Sequence, residues 1–216
     1  MLAGQTMTAS DGTEVCLFPF EYLYMSQDEG GDYSHQGTYN LDFLGWGENG
    51  RVTGCAFYAP CTLRCVDIWD PSSNNRVYQS KEKVYLADGT KDYLTIAFAH
   101  DDNPPYSVGD EIRQGDLLGH TGTTGRVTGD HTHSCCGKGA YQGFVQRGTA
   151  IIDGQVVPLY DLANRVHYWR ATYVNDTVIV EGYNHPWRKY EGGVSPTRIK
   201  GSFPWLLYAR KLRDNG

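Results

Sequence analysis

The sequence predicts a mainly β fold built from short strands and tight turns. Three observations carry that expectation. The chain holds 26 glycines and 16 tyrosines, residue types that suit turns and strands better than helix bundles. Its apolar runs are short and are punctuated by Asp88-Gly89, Gly109-Asp110 and Gly115-Asp116, which read as turns between strands. No helical periodicity approaches the length of a domain core. At 216 residues, 40% hydrophobic and 20% charged, the chain suffices for one large or two small domains with a real core.

Taken in order, residues 1–13 read as a loose leader. Residues 14–24 are apolar and β-prone, with Pro19 marking an edge or a bend. Residues 26–34 are polar and glycine-rich, hence loop. Leu41, Phe43, Leu44 and Trp46 suggest a buried strand into which Asp42 is set. Residues 51–69 read as two short strands broken at Ala59-Pro60, and residues 70–76 as a surface turn. Residues 77–86 and 93–99 are further strands, the second ending in His100. From Val108 the chain passes through two hairpin turns and a loop rich in glycine and threonine, and ends on His131-Thr132-His133.

That last stretch organises the rest. In an extended tripeptide, side chains two apart share a face, so His131 and His133 point the same way. Two imidazoles on one face begin a metal site or a general-base pair. The plainer alternative is two surface histidines in a polar loop. Asp42 among large apolar residues is costly unless it is paired, bound to a metal or capping a turn. His35 lies upstream of it, and Gly37 and Asn40 let the chain turn so that the two side chains converge. His100, at the junction of a strand and a polar loop, matters only if that strand end lies beside the His-x-His pair.

Other features narrow the function. A net charge of -6 argues against general nucleic-acid binding. No apolar run has membrane-spanning length, and the first residues show no signal-peptide pattern. The six cysteines, Cys16, Cys55, Cys61, Cys65, Cys135 and Cys136, are poorly spaced for a zinc ribbon. They read mainly as small buried apolar residues in a reducing compartment, with a Cys55 to Cys61 or Cys65 disulfide left open.

The order His35, Asp42, His100, His131-x-His133, with its glycine- and threonine-rich approach, resembles the M23 family of zinc metallopeptidases, the lysostaphin-like enzymes that cut peptide cross-bridges in bacterial peptidoglycan. The resemblance covers about residues 30–164 and includes Gly154 to Tyr160, similar to the family's closing turn. It implies an antiparallel β-sheet with a groove and a metal on its floor, in a catalytic domain spanning 14–164. It implies that His35, Asp42 and His133 bind Zn2+, and that His131 and His100 are the catalytic histidines. Zinc with three protein ligands keeps an open position, and its bound water reaches a pKa of about 7. One imidazole can then take the water's proton while another orients it or stabilises the oxyanion.

The chain departs from the family's commonest pattern in several places. Six residues separate His35 from Asp42 where three are usual, and longer spacings occur in phage-borne members. Asp130 and Thr132 replace the usual proline and leucine around the His-x-His, Phe98 replaces a tyrosine, and Ser134-Cys135-Cys136 follows His133. The expectation is a phage or prophage lysin, or a tail-associated wall hydrolase with phage tail components as partners. It would be made in the bacterial cytoplasm and act on the cell wall, in or out of a virion. The alternative is a non-enzymatic virion or wall-binding protein that keeps the scaffold. Residues 165–216 form an extension rich in aromatics and cations, including Trp169, Trp187, Trp205, Arg170 and Arg210. It either docks on the catalytic domain or binds the wall by sugar stacking and charge.

Overall fold

The computed structural model describes residues 1–27, 33–35, 40–146, 149–158, 171–173, 177–179 and 199–200. In chain order the strands are β1 (Tyr22–Gln27), β2 (Leu41–Leu44), β3 (Trp46–Gly47), β4 (Gly50–Arg51), β5 (Ala56–Tyr58), β6 (Leu63–Asp70), β7 (Asn75–Ser80), β8 (Val84–Tyr85) and β9 (Lys91–Asp92). There follow β10 (Leu94–Ala99), β11 (Glu111–Ile112), β12 (Leu117–His120), β13 (Thr132–Lys138), β14 (Tyr141–Gln146), β15 (Thr149–Ile152), β16 (Gln155–Pro158), β17 (Val178–Ile179) and β18 (Ile199–Lys200). The fold is mainly β and antiparallel, as the sequence predicts. A nine-stranded sheet runs β11-β6-β7-β10-β13-β2-β1-β17-β18, and its β1–β17 pairing is parallel.

The sheet is built around β10, whose six residues are all buried. A run of this kind, apolar apart from Thr95, belongs to a central strand covered on both faces. Ile96 and Phe98 face the main core with Phe18, Phe20, Phe43, Phe57 and Cys136. Phe98 packs there 4.7 Å from Phe57, ring centre to ring centre. Ala97 faces the other way, into a smaller cluster with Val77, Cys135 and Ile152, edged by Trp69 and Tyr141. The predicted turn after β6 is a 3-10 turn at Pro71–Ser73: the Asp70 carboxylate accepts from Ser72 N, and Asn74 closes it at φ 51°. Asp88-Gly89 turns the small β8–β9 hairpin, with Gly89 at φ 83°.

Residues 1–13 are anchored through three buried side chains, which corrects the expectation of a loose leader. Met1, Met7 and Ala9 are buried with Val15, Leu17 and Tyr173. Gly4 N donates to Gly115 O over 2.9 Å, and a Cβ on Gly115 would lie 2.7 Å from Gln5 O. The turn at Gly115-Asp116 is not the hairpin the sequence suggests, because β11 pairs with β6 and β12 with β5; its glycine is needed both for its φ of 86° and for the leader's close approach. Leaders of mixed polarity look loose in sequence because their few apolar residues have no periodic pattern.

The extension 165–216 lies largely outside the described residues. Of its described parts, Tyr173 is fully buried and its hydroxyl donates to Leu86 O at 2.8 Å. Its backbone pairs with Cys16 and Phe18, and Thr177 Oγ1 donates to Phe20 O at 2.8 Å. All six cysteines are free thiols, so neither the Cys55–Cys61 nor the Cys55–Cys65 bridge is formed. Five are buried, and burial raises the Cys135 thiol to about 12. Among the described residues no helix is long and apolar enough to cross a membrane.

Candidate metal and catalytic centre

Three adjacent strands, β2, β13 and β10, set the floor of the site. Their registers place Asp42 opposite His133, and His133 opposite Ala99. Directly opposed residues share a face, and here it is the face away from the main core. Leu41 and Phe43, on either side of Asp42, point into that core. The aspartate predicted to be set in a buried apolar strand therefore emerges alone on the opposite face. His35 reaches the same point from the preceding loop and is fully buried.

The three groups converge closely. Asp42 Oδ1 lies 3.0 Å from His133 Nδ1 and 3.4 Å from His35 Nε2, and the two nitrogens are 3.2 Å apart. Ligands about 2.0–2.1 Å from a tetrahedral zinc are separated by about 3.3 Å, so all three edges fit such an ion. The same contacts are awkward for protons alone: if both imidazoles donated to the carboxylate, their N–H groups would face one another. A cation between them takes the three lone pairs together. Among the described residues this trio is the one His, Cys, Asp or Glu cluster close enough to hold a metal. Burial opposes ionisation of Asp42. Hydrogen bonds and charge interactions from His133 and His35 overcome that and hold the carboxyl well below the usual range.

His131 and His100 sit on the rim. His131 Nε2 is 3.8 Å from Asp42 Oδ1, beyond the close trio, and its Nδ1 donates to Gly129 O at 2.8 Å. His100 Nδ1 donates to Thr124 O at 2.9 Å, and the His100 and His131 ring centres are 4.7 Å apart. Each imidazole thus has its Nδ1 proton fixed by a backbone carbonyl, which leaves Nε2 as the acceptor, an assignment inferred from these hydrogen bonds. His100 takes a φ of 81°, uncommon for a residue with a Cβ. By strand alternation it would follow Ile96 and Phe98 toward the core. The positive φ breaks that alternation and brings its ring beside His131. Burial pushes the His100 pKa below that of a free histidine, against the opposing Thr124 hydrogen bond.

Two supports had no clear sequence signal. Gly122 exchanges both backbone hydrogen bonds with His131, at 3.0 and 3.1 Å, and a Cβ there would come within 2.2 Å of His100 O. One glycine thus spaces both rim histidines. Asp130 stands where the M23 pattern has proline. Its carboxylate accepts from Thr121 Oγ1 at 2.6 Å and Gly54 N at 3.0 Å, and Arg51 donates to its carbonyl at 2.7 Å. These bonds tie the start of β13 to residues 51–54 and 121, a role that residue type alone does not reveal. His120 ends β12 with its backbone N donating to Asp101 Oδ2.

No protein-family model matches the chain. It is 35% identical over 184 residues to morphogenesis protein 1 of Bacillus phage B103; the match takes in 85% of this chain and 46% of that protein. The chain thus spans about half the length of the curated relative it matches. Among solved structures it is similar to the catalytic domain of lysostaphin from Staphylococcus simulans, with 19% identity, 60% of this chain and 85% of that one covered, and a TM-score of 0.39. It is also similar to the catalytic domain of the prophage-encoded M23 protein EnpA from Enterococcus faecalis, at 16% identity, 58% and 88% coverage and a TM-score of 0.42. A zinc-containing peptidase from Vibrio cholerae gives 16% identity, 71% and 44% coverage and a TM-score of 0.37. The cluster of His35, Asp42, His100, His131 and His133 carries the functional argument below.

The vicinal cysteines near His133 take no part in the trio. Cys136 points into the main core and Cys135 into the smaller cluster. Replacing both with serine is expected to leave zinc stoichiometry at the parent value. It should lower stability by about 1–3 kcal/mol for each buried hydroxyl that finds no partner. Metal analysis and thermal melting of the double variant check this, and loss of metal would reinstate a thiolate ligand.

Proposed function

We propose that this chain is a zinc-dependent endopeptidase that hydrolyses peptide bonds of bacterial peptidoglycan, as a phage or prophage lysin or a tail-associated wall hydrolase. The observation that carries the proposal is the convergence of His35 Nε2, Asp42 Oδ1 and His133 Nδ1 within 3.0–3.4 Å of one another, with two further imidazoles beside them. Zinc held there supplies a Lewis acid and lowers the pKa of water to about 7. With Nδ1 of each tied to a backbone carbonyl, His131 and His100 offer Nε2 to the site. One would take the attacking water's proton at Nε2 and return it to the leaving nitrogen as the C–N bond breaks, while the other would orient that water by accepting a hydrogen bond from it. The span 14–164 carries this chemistry, and 165–216 docks on it or binds the wall.

The assignment to a phage rests on the relative from Bacillus phage B103, whose name is morphogenesis protein 1. That name also favours the competing reading, a virion component that keeps the scaffold without catalysis. Zinc-loaded chain incubated with peptidoglycan of several wall chemotypes separates the two, with fragments read by mass spectrometry. New amino and carboxyl termini within the peptides, lost with chelator and restored by zinc, are the expected result. Intact peptides in every wall type would leave the binding protein.

A further inference from the structure

Gln27 is half-buried at the end of β1. Along β1, Leu23 and Met25 face the main core, so strict alternation would send Gln27 there too. The register prevents it. Tyr24 opposes Leu44 and Met25 opposes Phe43, but Gln27 opposes Asp42, because Ser26 is an extra residue in β1. A β-bulge of this kind turns the following side chain to the other face. Ser26 also donates to the Asp42 carbonyl at 3.3 Å.

On that face the Gln27 amide is fully used. Nε2 donates to Asp42 Oδ2 at 2.8 Å and to Ser34 Oγ at 2.9 Å, while Oε1 accepts from Ser34 N at 2.9 Å. The backbone N–H fixes which end of the amide is oxygen, and the carboxylate requires the other end to be nitrogen. One side chain therefore grips the residue before His35 and the outer oxygen of Asp42. With Oδ2 held by Gln27, Oδ1 is the oxygen turned toward His35 and His133.

We propose that Gln27 is the positioning residue of the metal centre. It aligns two ligands, His35 and Asp42, that are separated by six residues of intervening chain. The proposal rests on the metal-centre reading above. Outer partners that orient metal ligands typically contribute about 10–100-fold in metal affinity. Gln27→Leu keeps much of the side-chain bulk and removes both the donor and the acceptor.

The test titrates zinc, and cobalt as a spectroscopic stand-in, into metal-free parent, Gln27→Leu and Ser34→Ala. Melting of the metal-free proteins is measured in parallel. For Gln27→Leu the expected results are zinc affinity lower by about 10–100-fold, an altered cobalt absorption spectrum, and metal-free melting close to the parent's. Ser34→Ala removes one acceptor but leaves the backbone N–H and the Asp42 contact, and should bind zinc like the parent. Parent-like zinc affinity in Gln27→Leu overturns the proposal while leaving the metal centre standing. A parent chain that takes up neither metal overturns the centre and Gln27's role together.

Discussion

Replacing Asp42 with alanine is expected to strip the protein of zinc and reduce its cleavage of peptidoglycan to background. Among the three converging groups it is the one anion. His35 and His133 bind a metal as neutral imidazoles, so without Asp42 no formal negative charge remains in the trio to offset a divalent cation. On the inner side of the site Asp42 is only 8% exposed and His35 is fully buried, while His133 keeps an open side. A cation there is solvated mainly by its ligands, so loss of the charged one is felt at close to full strength. His133→Ala should also lose the metal, because His133 Nδ1 makes the shortest contact in the trio, 3.0 Å to Asp42 Oδ1. Zinc per chain, measured after dialysis on folded protein, falls from about one to near zero in both variants if the tetrahedral fit is right. Full zinc in either would remove that residue from the ligand set. Circular dichroism on the same samples guards against simple unfolding.

The β class and the identity of the clustered residues were legible in sequence for a local reason. Turn chemistry at Asp88-Gly89 and the two-residue period at His131-x-His133 act over a few residues. Asp42 was conspicuous because a carboxylate in an apolar strand demands a partner. The supports were not legible because they depend on register. Gln27 meets Asp42 only because Ser26 is bulged out, and nothing in Tyr-Met-Ser-Gln announces which residue will be skipped. Gly122 touches both rim histidines through a loop closure that spans from residue 100 to residue 131. The anchoring of the leader fails to show for a similar reason: Met1, Met7 and Ala9 are apolar by type, but they pack in one cluster with Tyr173, far along the chain.

The rim histidines should separate from the ligands in a second set of variants. His131→Ala is expected to keep one zinc per chain and lose about a hundred- to ten-thousand-fold in turnover, the usual contribution of a general acid or base. Its nitrogen stands 3.8 Å from Asp42 Oδ1 against 3.0 Å for His133, so the metal has no need of it. Zinc loss would make it a ligand, and undiminished cleavage would take it out of the chemistry. His100 permits a sharper test because its backbone is strained at φ 81°. Alanine at this position keeps the strain, whereas glycine relieves it. Both variants should lose turnover, but His100→Gly should melt higher than His100→Ala, by about 1 kcal/mol of stability. Histidine at a position that glycine suits better is then explained by its imidazole. The pH profile supplies the remaining check. Burial keeps the His100 pKa below the free-histidine value of about 6.5, so the imidazole is neutral and able to accept a proton at neutral pH. As pH falls through that lowered pKa the base is lost, so the limb His100 contributes lies on the acid side of 6.5. His100→Ala should remove it, while any limb that ligand protonation causes persists in the variant and tracks loss of zinc. An unchanged profile in His100→Ala would show that another group receives the proton.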